Sequence, residues 1–343
     1  MNFRQGELST PAPPVPGAGT AESRRARSVG TGRAHAKCIL LGEHAVVYGA
    51  PALALPVPQL SITASAGFSS RGGDPAGVSF TMTGSAWKQV GTQASEGLRR
   101  LTTDFRSSMG IDDGRHLDVI IDGSIPLGRG LGSSAACARA VVLALADLCG
   151  REVSQRTTFD LVQAAENVMH GKASGVDAVT VGASAPLLFQ AGEARTLRVG
   201  CDALFVIADS GAVGSTKEAV DQLRERFRLH AGAEETFVRR ASGLTREAVA
   251  ALAAGRPEEL GPLLTEYHGL LREAGLSTDR IEAMVRAALA AGSLGAKITG
   301  GGLGGCVLAL TQPEQAREVT RRLHEAGAVQ TWIVPLRRLV THV

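Results

Sequence analysis

Aromatic residues are scarce, at 4% of 343 positions. Hydrophobic residues still make up 44%, so the core has to be built from Ala, Val, Leu and Ile. That is enough apolar material for one or two sizeable domains. No run of 18 apolar residues occurs, so neither a spanning helix nor a membrane partner is expected. A surplus of one charge is also missing. The formal net charge of +3, with both signs interspersed, is too slight to point to nucleic acid. The five cysteines, at 38, 137, 149, 201 and 306, are odd in number, lie in or beside apolar stretches and show no metal-ligand spacing. They read as free thiols of a reducing, cytoplasmic compartment. The first 33 residues carry Pro11, Pro13, Pro14 and Pro16 and then Arg24, Arg25 and Arg27, without an apolar h-region. They exclude a secretory signal and predict a disordered tail.

What is present is concentrated in one stretch. Residues 126–136 read Pro-Leu-Gly-Arg-Gly-Leu-Gly-Ser-Ser-Ala-Ala, between a strand-like run (117–122) and an apolar helix predicted over 133–148. Glycines let a backbone come close to a ligand. A helix start offers unpaired N–H groups and the positive end of a dipole, which together bind phosphate. No Gly-Lys-Ser/Thr follows, so this is not a Walker loop. A plain turn would not explain the paired Ser133 and Ser134.

A second predicted helix, 154–170, has Ser154 as N-cap and Gly171 just past its end. Its apolar face runs Phe159, Val162, Ala165, Met169. Glu166 is four residues beyond Val162 and three before Met169, so it points to that face. A carboxylate facing a core needs a partner or a metal, unless it escapes sideways to solvent.

The glycine loop resembles the signature of the GHMP kinases. Two further segments make the same match: Ala36-Lys37-Cys38-Ile39-Leu40-Leu41-Gly42-Glu43-His44-Ala45-Val46-Val47-Tyr48-Gly49, and Lys297-Ile298-Thr299-Gly300-Gly301-Gly302-Leu303-Gly304-Gly305-Cys306. The three motifs stand in the family's order and span 36–306. The stretch Glu166-Asn167-Val168-Met169-His170-Gly171-Lys172-Ala173-Ser174-Gly175-Val176-Asp177 is similar to the family's mevalonate kinase branch. Ala173 stands where that branch has proline, which implies a looser loop ahead of Asp177.

The resemblance implies an α+β, two-domain fold: an N-terminal domain like ribosomal protein S5 domain 2 and a ferredoxin-like C-terminal domain, with the active site between them. The change of pattern near 210 predicts an ATP-binding domain over 34–210 and a second domain over 211–343. The resemblance further implies ATP-dependent phosphorylation of the primary hydroxyl of (R)-mevalonate, with Mg²⁺ as cofactor. By position, Pro126, Gly128, Gly130, Leu131, Gly132, Ser133 and Ser134 would hold ATP, and Ser134 with Glu166 would hold Mg²⁺. Asp177 and Lys37 would be catalytic. Glu43, His44, Ser174, Thr216, Gly300 and Gly301 would face mevalonate. A homodimer follows by analogy with relatives. Another kinase of the family, acting on phosphomevalonate or homoserine, or a non-catalytic sensor of the same fold, stays open at this point.

Overall fold

The computed structural model describes residues 27–69, 77–84, 92–111, 114–171, 173–200 and 202–336. Most of the predicted tail, Cys201 and Lys172 lie outside them.

Two sheets organise the described residues. The first is built on a long central strand, β2 (Ala52–Ser69), with β1 (Gly30–Leu41) antiparallel along one edge. On its other edge β2 pairs with β4 (His116–Gly123) through 62–69 and with β5 (Leu187–Gln190) through 52–54. β3 (Val78–Thr83) joins β4 in parallel, and β6 (Glu193–Thr196) closes the far side on β5. Pro56 and Pro58 lie in β2, where they can donate no ladder hydrogen bond. There the register against β1 shifts, between His35 and Ala36. Just past the shift, Lys37 N–H donates to Leu131 O (3.0 Å), so this stretch of β1 meets the glycine loop on its other side.

Helix α2 (Ser133–Leu148) is apolar nearly all round and buried nearly all round, as such a pattern requires. It packs on β1 and β2 and is flanked by α1 (Thr92–Met109) and α3 (Gln155–His170). α1 buries Leu98, Leu101 and Phe105, at helical spacing, each stabilising by about 1.5–3 kcal/mol. Ser154 caps α3, its side chain accepting from Thr157 N–H. The short α4 (Val176–Thr180) follows.

The second sheet has strand order β10-β7-β9-β8, all antiparallel: β7 (Leu204–Asp209), β8 (Gly295–Thr299), β9 (Cys306–Thr311) and β10 (Gln330–Pro335). Between β7 and β8 run α5 (Thr216–Leu229), α6 (Ala233–Ala253), α7 (Pro257–Glu273) and α8 (Asp279–Ala290); α9 (Ala316–Glu325) precedes β10. Counted within this sheet the order is 4-1-3-2, the ferredoxin-like arrangement.

β7 is hydrogen-bonded to β9 and β10, so residues 204–209 belong to the second sheet. Residues 30–33, assigned to the tail, are strand paired with 63–66. They belong there because Gly30 lies directly on α2. A Cβ at Gly30 would stand 2.2 Å from Ala144 O, so no side chain advertises the contact in sequence.

Candidate active site

A cleft of about 500 Å³ lies where the two sheets' loops meet. Its floor is the glycine loop. Gly132, with φ 71°, is the N-cap of α2, and no side chain caps the helix start. The first N–H groups of α2 are therefore open to a ligand. The stem of Lys37 passes over Gly132 so closely that a Cβ there would stand 2.8 Å from Lys37 Cγ. Gly130 touches the second domain's glycine turn in the same way: a Cβ on Gly130 would come within 2.8 Å of Gly300 Cα. The two glycine-rich segments thus interlock backbone to backbone, and a side chain on either would force them apart.

Gly128, Gly130, Gly132, Ser133 and Ser134 line the cleft, with Glu166, His170 and Asp177 beside them and Ser215, Thr216, Lys217, Gly301 and Gly302 opposite. Met82, Leu98, Leu127, Cys137, Ala138 and Met169 add an apolar lining. Pro126 sits half-buried at the loop's start, while Leu131 is buried and holds Lys37 through its carbonyl.

Lys37 Nζ lies 2.9 Å from Asp177 Oδ1. The lysine is sealed at 2% exposure; the aspartate, in the first turn of α4, is 33% exposed and faces the cleft. Glu166 is buried. Burial first, and then the neighbouring Asp177 charge, push its carboxyl up to about 7, while the Ser134 side-chain hydrogen bond pulls it down. Its Oε1 is buried without a hydrogen-bond partner, and its Oε2 is 3.8 Å from His170 Nε2. An orphaned carboxylate oxygen, a serine hydroxyl and a second carboxylate nearby suit a hard cation with few protein ligands. Among the described residues no three His, Cys, Asp or Glu cluster as a complete metal cage. A cation that keeps several waters and substrate oxygens does not need one.

The turn from α3 to α4 shows why alanine can stand at 173. Ala173 N–H donates to Asn167 Oδ1 (3.0 Å), and Ala173 O accepts from Gln163 Nε2 (2.7 Å). Proline could not make the first bond, so hydrogen bonds fasten here what a ring would stiffen. Ser174, half-buried, turns its hydroxyl to Val176 N–H (3.4 Å) and does not line the cleft.

His44 is buried with φ 63°, a left-handed conformation that a side-chain-bearing residue adopts under strain. Burial, and secondarily Lys297, push its imidazole down to about 4. Its Nε2 is buried with no partner among the described residues. Glu43 beside it pairs with Lys297, both sealed from solvent. Tyr267 hydroxyl donates to Glu43 O (2.9 Å), and Thr299 Oγ1 accepts from Ile39 N–H (3.1 Å). Gly300 is buried against Gly130, and Gly301, half-buried, lies against Thr216.

Sequence reasoning did not single out Lys297, although it opens the third motif. It missed α1 and hence Leu98, whose signal was the apolar spacing 98, 101, 105.

A glycine-rich loop opening a buried helix in one α+β domain, closed over by a ferredoxin-like domain, is the architecture of a class of small-molecule kinases. Residues 97–184 match the family model of the GHMP kinases N-terminal domain, and residues 248–329 that of the GHMP kinases C-terminal domain. The chain is 33% identical to a mevalonate kinase of Pyrococcus horikoshii, over 86% of this chain and 92% of that protein. It is 32% identical to one of Methanothermobacter thermautotrophicus, over 80% and 88%. A crystal structure of mevalonate kinase from methicillin-resistant Staphylococcus aureus superposes with a TM-score of 0.68, at 29% identity, covering 90% of this chain and 99% of that one. L. major mevalonate kinase in complex with R-mevalonate shares the fold, with a TM-score of 0.78 at 23% identity, over 91% and 98%. The chain belongs to the GHMP kinases, in their mevalonate kinase branch.

Proposed function

We propose that this chain transfers the γ-phosphoryl group of ATP to the primary hydroxyl of (R)-mevalonate, giving 5-phosphomevalonate and ADP. The observation that carries the reading is the Lys37–Asp177 pair at 2.9 Å, set between the uncapped start of α2 and the glycine turn of the second domain. Phosphoryl transfer needs positioning and charge neutralisation more than covalent help. The loop 128–134 holds the phosphates by backbone N–H groups. Ser134 and Glu166 would hold Mg²⁺, which when bound neutralises phosphate charge. Asp177 accepts a hydrogen bond from the acceptor hydroxyl and takes its proton as the new O–P bond forms. Lys37, paired with that carboxylate at 2.9 Å, holds it in place and offsets charge developing at the oxygen. His44, neutral at physiological pH and with an unused ring nitrogen, meets the polar end of mevalonate together with Thr216, Gly300 and Gly301. Glu43 supports His44. Ser174, outside the cleft lining, acts by holding the turn before Asp177. A homodimer and a cytoplasmic location belong to the same reading, the first by analogy with the family. Among the described residues no helix is long and apolar enough to cross a membrane.

A coupled ADP-release assay with mevalonate, phosphomevalonate, homoserine and galactose tests the reading. Mevalonate should give the highest kcat/KM. A higher value for another acceptor would move the chain to another activity of the family, and no turnover with any would leave a sensor.

A further inference from the structure

Arg129 stands inside the glycine loop, between Gly128 and Gly130, and nothing in the chemistry above uses its side chain. Its guanidinium does not line the cleft. It turns instead to the second domain, where Nε lies 3.0 Å from Asp209 Oδ1 and Nη2 donates to Gly211 O (2.9 Å). Asp209 Oδ1 also accepts from Gly211 N–H (2.8 Å), so the acceptor is itself held in place. The pair is largely withdrawn from solvent, with 16% and 6% exposure. Backbone contacts run parallel to it: Gly214 N–H donates to Gly128 O (2.9 Å), and Gly305 N–H to Ala212 O (2.9 Å). Residues 209–214 lead straight into Ser215, Thr216 and Lys217 on the opposite wall of the cleft.

We propose that Arg129 and Asp209 are a positioning pair that pre-orders the phosphate-cradling loop against the second domain, and so sets the affinity for the nucleotide rather than for the acceptor. A loop with glycine at 128, 130 and 132 has much backbone freedom to lose when a phosphate orders it. A tether that removes this freedom beforehand appears as ligand affinity. Arginine suits the task, because its planar fork fixes orientation as well as distance. The pair also fixes the loop relative to the start of α5, which the loop's backbone contacts alone do at one carbonyl.

The inference rests on the reading of the loop as a nucleotide site, and direct nucleotide binding separates the two. Removing one charge of a withdrawn pair strands the other and endangers folding, whereas removing both is often tolerated. The informative variant is therefore Arg129→Met/Asp209→Asn. Its melting temperature should stay within a few degrees of the parent's. Its Kd for ATP, measured by calorimetry, and its KM for ATP should both rise about 10-fold, with the KM for mevalonate within about 2-fold of the parent's. Unchanged ATP affinity, or equal increases in both KM values, would overturn the proposal. Should the double variant not fold, Arg129→Lys decides: it keeps the charge and loses the fork. A weakened Kd for ATP in it upholds the positioning role, and a parental Kd rejects it. Failure of the parent to phosphorylate mevalonate while it still binds ATP would sink the acceptor assignment and leave this test intact.

Discussion

Two lysine–carboxylate pairs stand in the same corner of the molecule and do opposite things. Lys37–Asp177 joins β1 to α4, and its carboxylate is one-third exposed to the cleft. Lys297–Glu43 joins β8 to the turn after β1, and both partners are sealed. Burial and the partner's charge oppose each other in the sealed pair: burial drives the Glu43 carboxyl up and the Lys297 ammonium down, while each attracts the other. Such a pair adds little net stability compared with an apolar substitute, but losing one half leaves a stranded charge. It lies across the junction of the two domains, beneath His44 and beside Thr299, and so favours one way of assembling them. The open pair uses the same chemistry with one side unburied. The Asp177 carboxylate is therefore open to the cleft, while Lys37 stays packed against Gly132. On the proposed function, the one-third exposure of the Asp177 side chain is what separates a reacting pair from a clasp.

The comparison can be broken by mutation, most severely at the open pair. Asp177→Ala should lose turnover by at least about 10²-fold and still bind ATP, because Asp177 is not part of the phosphate loop. Steady-state kinetics and nucleotide calorimetry check both halves, and loss of ATP binding with an intact fold would misplace the residue.

At the sealed pair the expected loss is in stability. Lys297→Met should destabilise by about 3–5 kcal/mol, read by chemical denaturation. Lys297→Met/Glu43→Gln should recover most of that loss. A double variant as unstable as the single would mean that the lysine contributes through something other than Glu43.

A smaller effect of mixed sign is expected at Glu166. Its carboxyl titrates near 7 in the fold and near 4.5 unfolded, so the metal-free native state holds its proton over that interval. Stability then falls as pH rises from about 4.5 to 7, by up to roughly 3 kcal/mol. Glu166→Gln, which carries no charge to bury, should be more stable than the parent at about pH 8 and close to it at about pH 5. The same variant should need more Mg²⁺ for half-maximal rate. Denaturation at the two pH values and a Mg²⁺ titration at saturating ATP test the trade. A variant less stable at the higher pH would contradict the buried charge.

The smallest expected effect is at Ser134. Its alanine variant should shift the Mg²⁺ midpoint by a few-fold, about 1 kcal/mol, and leave the fold untouched. An unchanged titration would remove the hydroxyl from the cation's surroundings.

Local signals made much of this legible in the sequence. Ser154 and Gly171 mark the ends of α3. Glu166 on an apolar face is visible from its spacing alone. What stayed hidden depends on distant partners. Nothing in 204–209 says that this strand pairs with 306–311 and 330–335. Glu43 and Lys297 are 254 residues apart, and nothing in either motif says that the fold pairs them. The α1 helix is hard to read in the sequence because Leu98, Leu101 and Phe105 stand among Arg, Thr and Asp. Ala173 misled in the other direction: the missing proline suggested looseness, and the bonds from Asn167 and Gln163 lie outside any motif.

The most direct test is identification of the product by phosphorus and proton NMR after incubating the parent protein with ATP, Mg²⁺ and (R)-mevalonate. The expected result is one new phosphate monoester whose phosphorus couples to the methylene protons of the primary carbon, formed at least about 10²-fold more slowly by Asp177→Ala. A phosphate on the tertiary hydroxyl, or an undiminished rate in Asp177→Ala, would contradict the assignment of the open lysine–aspartate pair to the reacting oxygen.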